Sequence, residues 1–181
     1  MTELIPNVDE TAQRPRVVLV GPPGAGKSTI ARRLARALSL GLVDSDELIE
    51  EATGKACGEV FAELGEPAFR ELEAAQVAEA LKTSGVVSLG GGAVVTASTR
   101  ELLADHDVVW IDVSPEEGYR RTSSDDTRPV LLAENPREHY RNLLETRMPL
   151  YHEVAGFRIR TDRRTPQQVV ADVLGHLDSL V

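Results

Sequence analysis

The stretch that decides the fold is "RVVLVGPPGAGKSTIARRLARALS", residues 16–39. A β-branched apolar run leads into a glycine-rich loop, and Leu34 and Leu38 follow at helical spacing. The loop fits the pattern G-x-x-x-x-G-K-[ST] through four residues: Gly21, Gly26, Lys27 and Ser28. Glycines let successive backbone N–H groups turn toward phosphate oxygens, and the start of a helix adds positive potential. The stretch therefore predicts a strand, a phosphate-binding loop (the P-loop) and a helix.

The side chains of the P-loop predict a nucleotide and a metal ion. We expect Lys27 to reach the β- and γ-phosphates and the Ser28 hydroxyl to bind Mg²⁺. The expected nucleotide site is one continuous run: Gly24, Ala25, Gly26, Lys27, Ser28 and Thr29. The motif does not identify the phosphate acceptor, so water, a nucleotide and a metabolite all stay open.

Short apolar runs alternate with longer helical patterns along the rest of the chain. The predicted strands cover residues 16–21, 41–44, 86–90, 108–113 and 157–161, and the predicted helices cover residues 27–39, 66–84, 97–106, 135–154 and 166–181. Most of the strands are continuously apolar, as strands buried on both faces of a sheet are. The alternation predicts an α/β protein with a parallel sheet and helices on both faces.

The composition limits the number of domains and the class of partner. A chain of 181 residues with a formal net charge of −9 predicts one acidic domain and argues against nonspecific nucleic-acid binding. It has no apolar stretch near the ~20 residues of a membrane helix, and its first residues lack the pattern of a secretory signal. The single cysteine, Cys57, excludes an internal disulfide and is typical of a reducing cytoplasm.

Two polar stretches fall outside the predicted elements. Residues 1–15 are interpreted as a flexible N-terminal extension, which leaves residues 16–181 as a single domain. Residues 122–136, "TSSDDTRPVLLAENP", have no clear period and contain two prolines. A loop of this length is often a lid or a connector, and its length alone does not choose between them.

Two carboxylates, Asp44 and Asp46, end the second predicted strand in "LVDSDEL". Ligands collect at the carboxyl ends of strands in open α/β sheets. Asp44 with Glu47 three residues later also resembles a capping box at the start of a helix. Beside a P-loop, the two carboxylates suit different tasks, one near Mg²⁺ and one accepting hydrogen bonds from an acceptor hydroxyl.

Three glycines, Gly90, Gly91 and Gly92, interrupt the apolar run "VVSLGGGAVV" at residues 86–95. Each glycine weakens a strand by roughly 0.5–1 kcal/mol. The triplet is therefore either a flexible turn or a place where a group approaches the backbone more closely than a Cβ allows.

Arginines stand at several places outside the P-loop: Arg70, Arg120, Arg121, Arg128 and Arg147. An arginine on a helix is usually a solvated surface residue. Neither periodicity nor spacing selects any of these five as a ligand-binding residue.

Six short motifs, in this order and at these intervals, resemble shikimate kinases: "GPPGAGKST", "DSD", "AFRELE", "SLGGGAV", "RP" in the polar stretch, and "RMPLY". The likeness covers roughly residues 16–180. It implies a three-layer α/β/α P-loop kinase fold with a five-stranded parallel sheet and a mobile lid at about residues 122–136. It also implies transfer of the γ-phosphate of ATP to the 3-hydroxyl of shikimate, a step of chorismate and aromatic amino-acid biosynthesis. The expected partners are ATP and shikimate with Mg²⁺ as cofactor, in a cytoplasmic monomer that binds neither nucleic acid nor membrane.

The resemblance also implies which residues hold the acceptor. The shikimate-binding residues would be Asp46, Arg70, Gly91 and Arg147, and the catalytic residues would be Lys27, Asp46 and Arg128. By the same resemblance, the glycine triplet lets the ring of the acceptor lie against bare backbone, where the Gly91 N–H is offered to it.

Nucleotide and metal contacts beyond the P-loop are implied in the same way. Arg121, Arg128 and Arg164 would contact ATP, and Ser28 would bind Mg²⁺ directly. Asp44 and Ser88 would bind the same ion through water. The polar stretch around Arg128 is more acidic than expected for a lid that closes over ATP.

Two other functions stay open: a gluconate-type or other small-metabolite kinase, and a nucleotide-binding domain without catalysis. The first shares the P-loop and an anionic substrate, but it does not call for the glycine triplet together with Arg70 and Arg147. The second is disfavoured by the combined presence of Lys27, Ser28, Asp46 and Arg128.

Overall fold

Five strands and eight helices are formed by the residues that the computed structural model describes, 13–123 and 134–181. The strands are β1 (Val17–Val20), β2 (Gly41–Asp44), β3 (Gly85–Ser88), β4 (Val108–Asp112) and β5 (Phe157–Arg160). The helices are α1 (Lys27–Leu38), α2 (Ser45–Thr53), α3 (Cys57–Leu64), α4 (Glu66–Ala80), α5 (Ala97–Leu103), α6 (Pro115–Thr122), α7 (Pro136–Val154) and α8 (Pro166–Ser179). A short 3₁₀ helix, Ala93–Val95, follows the glycine triplet.

All five strands pair in parallel, in the order β2-β3-β1-β4-β5. β1 is therefore the central strand, and the P-loop leaves the sheet at its middle. Ser88 at the end of β3 lies opposite Asp44 of β2 on one side and Leu19 of β1 on the other. The predicted α/β class and the five-stranded parallel sheet are confirmed, and the ends of three neighbouring strands meet where ligands collect in such sheets.

Alternate residues of the central strand pack into two separate cores. Val17 and Leu19 face the layer of α1 and α8, whereas Val18 and Val20 face the layer that contains residues of α4, α5 and α7. All four side chains are buried. Burial on both faces explains why this strand is continuously apolar in sequence, and it anchors the P-loop on a rigid support.

The helices predicted from periodicity do not include α2, α3 and α6, and only the capping pattern at Asp44 indicated the start of α2. Each of these three helices has only eight or nine residues. Little more than two helical turns give a weak 3.6-residue period, and glycines at Gly54 and Gly65 end α2 and α3. The predicted helix 66–84 ends early, at Ala80, and the predicted helix 97–106 ends at Leu103.

The two polar stretches are described only in part. Of the predicted extension, residues 13–15 are described: Pro15 is buried, and the Arg14 guanidinium donates a hydrogen bond to the carbonyl of Asp105. The predicted lid is described at residues 122–123 and 134–136, so Arg128 lies outside the described residues. None of the helices within residues 13–123 and 134–181 has the length and apolar character to cross a bilayer.

Candidate active site

The P-loop has a hydrogen bond on each of five successive carbonyl oxygens. Lys27 Nζ donates to the carbonyls of Gly21 at 2.6 Å and Pro22 at 3.1 Å. The next three carbonyls, those of Pro23, Gly24 and Ala25, accept from Tyr140 Oη at 2.6 Å, Arg121 Nη1 at 3.1 Å and Thr161 Oγ1 at 3.1 Å, respectively. A trans peptide points its C=O and N–H in opposite directions, so the last three of these bonds also fix the direction of the N–H groups of Gly24, Ala25 and Gly26.

The free donors of the P-loop lie where an anion would bind. Among the described residues, no acceptor pairs with the backbone N–H of Gly24, Gly26 or Ser28. Gly26 caps α1 in a left-handed conformation with φ of 92° and provides no side-chain cap. A helix start with unpaired N–H groups and no capping side chain is a ready site for phosphate oxygens.

Arg121 and Arg164, expected along the nucleotide, meet around Thr161 after the end of β5. Arg121 Nη1 donates to Thr161 Oγ1 at 2.9 Å, and the Arg164 N–H donates to the Thr161 carbonyl at 3.2 Å. The Arg121 side chain thus lies directly beside the P-loop. The Arg164 side chain pairs with Asp172 of α8.

Oxygen donors suited to Mg²⁺ are found at the start of α1 and at the adjoining ends of β2 and β3. Ser28 is exposed in its first turn, and Asp44 and Ser88 are neighbours in register on β2 and β3. Asp44 Oδ1 accepts from the N–H groups of Asp46 at 2.8 Å and Glu47 at 3.4 Å, which confirms that Asp44 caps this helix; the reciprocal bond of a full capping box is not found among the described residues. Within the described part of the chain, no three His, Cys, Asp or Glu side chains are grouped to hold a metal ion. Mg²⁺ in kinases is held by one or two protein oxygens together with phosphates and water, and this donor set fits that role.

Asp46 lies between the P-loop lysine and the glycine triplet. A Cβ added to Gly90 would come within 2.4 Å of Asp46 Oδ1, so the carboxylate lies directly against that backbone. Burial raises the pKa of Asp46, the charge of Asp44 raises this pKa further, and Lys27 lowers it. An ionised carboxylate in such surroundings is a better proton acceptor than one in water.

Arg70 of α4 and Arg147 of α7 approach the same buried carboxylate, Glu73. Arg70 Nη1 is 2.9 Å from Glu73 Oε1, and the two side chains are 14% and 3% exposed. Burial raises the pKa of Glu73, whereas the charges of Arg70 and Arg147 both lower it. The Nε of Arg70 is buried and has no hydrogen-bond partner among the described residues. The two arginines are therefore directed toward the protein interior, and one of them retains an unpaired donor.

Each glycine of the triplet meets a different part of this site. A Cβ on Gly90 would meet the Asp46 carboxylate, and a Cβ on Gly91 would come within 3.0 Å of Pro23 Cδ in the P-loop. On Gly92, it would come within 2.5 Å of both terminal nitrogens of Arg70. The triplet is thus a place of close approach rather than a slack turn, and the groups that crowd it among the described residues are protein side chains; the contact with the acceptor ring stays a prediction.

Sequence reasoning missed four residues that hold the site together: Glu73, Tyr140, Tyr151 and Thr161. Tyr151 Oη donates to the Gly91 carbonyl at 2.6 Å, and burial raises the pKa of Tyr151 to about 12, which keeps the hydroxyl protonated. Helical spacing could have pointed to three of them, because Glu73 lies three residues after Arg70, and Tyr140 and Tyr151 lie seven before and four after Arg147. No local signal marks Thr161.

A P-loop on a central parallel strand, next to a carboxylate and a pair of inward-facing arginines, defines a P-loop kinase that acts on a small acceptor. The comparisons with known proteins narrow this class. The family model for shikimate kinase matches residues 23–178. A shikimate kinase from Corynebacterium efficiens is 76% identical over 91% of this chain and 98% of its own length. A shikimate kinase from Corynebacterium glutamicum is 73% identical over 91% of this chain and 97% of its own length.

A solved structure is similar to this chain in both fold and sequence. Shikimate kinase from Acinetobacter baumannii, in complex with shikimate, has a TM-score of 0.85 and 37% identity, and the match covers 92% of this chain and 94% of that one. The chain belongs to the shikimate kinase family.

Proposed function

We propose that this protein transfers the γ-phosphate of ATP to the 3-hydroxyl of shikimate, giving shikimate 3-phosphate and ADP in chorismate and aromatic amino-acid biosynthesis. The observation that carries the proposal is the position of Arg70, which lies against Gly92 and pairs with Glu73, while the charge of Arg147 acts on the same carboxylate. Shikimate is a carboxylate with three ring hydroxyls. Its site therefore needs cationic groups at one end and hydrogen-bond acceptors at the other.

Arg70 and Arg147 supply the cationic end. A guanidinium binds a carboxylate through two parallel hydrogen bonds, which a lysine cannot do. The buried, unpaired Nε of Arg70 supports this role, because a buried donor is expected to have a partner in the working complex. Glu73 pairs with Arg70 Nη1, and the charges of Glu73 and Arg147 attract each other without a direct ion pair among the described residues.

Asp46 and Gly91 supply the other end. Asp46 would accept a hydrogen bond from the attacking hydroxyl and set its direction. The Gly91 N–H, which donates to no described residue, would bind the acceptor ring. The transition state of phosphoryl transfer is loose, so little bonding to the nucleophile has developed when the leaving bond breaks. Asp46 therefore acts first as a positioning carboxylate and takes the proton late.

The P-loop side supplies the charge neutralisation. Lys27 Nζ, with Arg128 of the predicted lid, would stabilise the transferring phosphoryl group, a role in which a single arginine contributes ~10³–10⁵ in rate. The free N–H groups of Gly24, Gly26 and Ser28 would hold the other phosphates, and Arg121 and Arg164 would contact the nucleotide. Mg²⁺, held by the Ser28 hydroxyl and by Asp44 and Ser88 through water, would neutralise phosphate charge when bound.

Three features of the proposal concern the whole molecule. We propose a single domain over residues 16–181, a monomeric state and a cytoplasmic location. Size-exclusion chromatography with light scattering tests the monomeric state, since a monomer should have the 19.7 kDa mass of the chain. Cell fractionation tests the location.

One coupled assay tests the activity. Release of ADP from Mg-ATP is followed with shikimate, with gluconate and with no acceptor. We expect turnover with shikimate and only background rates in the other two arms. Turnover with gluconate alone would assign a gluconate-type kinase, and ATP binding without any turnover would assign a nucleotide-binding domain without catalysis.

A further inference from the structure

One face of α7 reaches both substrate-binding backbones. Tyr140, Leu144, Arg147 and Tyr151 are spaced by four, three and four residues, so they lie along a single side of the helix. Tyr140, Leu144 and Tyr151 are at most 2% exposed. This inward-facing row, which we call the α7 row, runs past the P-loop at one end and past the glycine triplet at the other.

The two tyrosines of the α7 row make the same kind of bond to two different loops. Tyr140 Oη donates to the carbonyl of Pro23, and Tyr151 Oη donates to the carbonyl of Gly91, each at 2.6 Å. The two loops also lie side by side, because a Cβ added to Gly91 would come within 3.0 Å of Pro23 Cδ. One helix therefore contacts two adjoining backbone segments through two hydroxyl groups, and the Tyr151 hydroxyl is also in hydrogen-bond contact with Arg147 of the same row.

Each of these bonds fixes the direction of a neighbouring donor. The peptide that carries the Pro23 carbonyl also carries the N–H of Gly24, and the peptide that carries the Gly91 carbonyl also carries the N–H of Gly92. Neither N–H donates to any residue within the described ranges. When the carbonyl is held on the α7 side, the N–H points the opposite way.

The chain itself would not keep the first peptide in this orientation. Gly24 has φ of +83°, and glycine populates positive and negative φ about equally, so the Pro23–Gly24 peptide can turn over at small cost unless its carbonyl is held. The Tyr140 hydroxyl fits in this position only because residue 118 is a glycine, since a Cβ on Gly118 would come within 2.1 Å of Tyr140 Oη.

We infer that Tyr140 and Tyr151 are positioning residues with separate tasks: Tyr140 orients the P-loop for the nucleotide, and Tyr151 orients the glycine triplet for the acceptor. Neither hydroxyl needs to touch a substrate for this. The Tyr151 part rests on the proposed function, whereas the Tyr140 part depends only on nucleotide binding.

Two matched substitutions test the inference. Tyr140→Phe and Tyr151→Phe remove one oxygen each and keep the buried ring. We expect Tyr140→Phe to weaken ADP binding, measured by calorimetry, by about 3- to 10-fold and to leave KM for shikimate within twofold. We expect Tyr151→Phe to raise KM for shikimate by a similar factor and to leave ADP binding within twofold. Tyr119→Phe, a partly buried ring beside Tyr140, is the control and should change neither quantity.

The outcomes separate positioning from packing. A role in packing alone would lower the melting temperature of both variants while both binding constants stayed within twofold, and that result would overturn the inference. Equal weakening of both substrates by both variants would overturn it as well. If the wild-type protein does not phosphorylate shikimate, the proposed function fails, but the effect of Tyr140→Phe on ADP binding still decides the Tyr140 part.

Discussion

The Asp46 carboxylate lies directly against the bare Cα of Gly90, so close that a methyl group there would come within 2.4 Å of Asp46 Oδ1. The Gly90 N–H is held at the same time by Ser45 Oγ at 2.9 Å. The position of the proposed proton acceptor is thus set by a residue with no side chain, 44 positions further along the chain.

Gly90→Ala and Gly92→Ala should damage different kinetic constants. Neither glycine has a positive φ, so alanine fits the backbone and only the new methyl group matters. At position 90 it displaces Asp46, and we expect kcat to fall by about 10-fold or more. At position 92 it displaces the Arg70 guanidinium, and we expect KM for shikimate to rise. Steady-state kinetics with both substrates varied checks this split.

A matched control comes from α8. Gly175 is exposed in that helix, and a Cβ there meets nothing within 4 Å. Gly175→Ala should leave all kinetic constants unchanged and stabilise the protein by about 0.5–1 kcal/mol, because alanine favours the helix. Identical effects of the alanine at 90 and at 92 would contradict the separate roles of Asp46 and Arg70.

Asp46→Asn should separate binding from turnover. Asparagine keeps the shape but cannot accept the proton, so we expect kcat to fall by ~10²–10⁴ while ADP affinity stays the same. Calorimetry with ADP and a coupled assay check the two parts. Near-normal turnover would place the proton acceptor elsewhere.

The same substitution should change stability in a pH-dependent way. The pKa of Asp46 is raised above its unfolded value, so the stability that this group contributes is fully present below about pH 4 and is lost as the pH rises through the folded pKa. An asparagine at this position stays uncharged, so Asp46→Asn does not lose stability as the pH rises through this pKa. In EDTA and without nucleotide, the melting temperature of the variant minus that of the wild type should therefore rise with pH and then level off. A difference that is constant with pH would contradict the raised pKa.

The sheet could be predicted from the sequence because its strands are buried on both faces and read as apolar runs. The end of β1 and the start of α1 follow from the P-loop pattern alone. The strand order could not be predicted, because it depends on pairing between residues such as Val43 and Val87 that are far apart in the chain. The short helices α3 and α6 gave too little periodicity to be recognised.

The candidate site likewise has one part that could be predicted from local sequence and one part that could not. The P-loop and Asp44 are local patterns, and their geometry follows from a few adjacent residues. Tyr140 and Thr161 act through contacts with residues distant in sequence: Tyr140 is 117 positions from Pro23, and Thr161 is 136 positions from Ala25. The glycine triplet was recognised as a place of close approach, but only the folded chain shows that Asp46, Pro23 and Arg70 are the groups that approach.

Cys57 should be nearly inert toward alkylation. Burial and the nearby carboxylates, first among them Asp46, raise the pKa of its thiol to about 12, and Cys57 Sγ lies 3.4 Å from the Asp46 carbonyl. At pH 8 only about one thiol in 10⁴ would be ionised, and the thiolate is the form that reacts. Iodoacetamide labelling followed by mass spectrometry should be slower in the folded than in the guanidinium-unfolded protein by about 10³-fold. Equal rates would show that the thiol is exposed and its pKa ordinary.

Arg147 offers the cleanest test of the arginine pair. Removing Arg70 would leave the buried Glu73 carboxylate without its ion-pair partner and would disturb folding as well as binding. Arg147→Ala avoids this, and Arg141→Ala, an exposed arginine on the same helix that pairs with Glu116, is the matched control.

The most direct measurement compares kcat/KM for shikimate and for its uncharged methyl ester in the wild type, in Arg147→Ala and in Arg141→Ala. If two guanidinium groups hold the acceptor carboxylate, the ester should be about 10- to 100-fold poorer than shikimate in the wild type and in Arg141→Ala, but only a few-fold poorer in Arg147→Ala. The same penalty for the ester in all three proteins would show that Arg147 does not bind the carboxylate and would contradict the account.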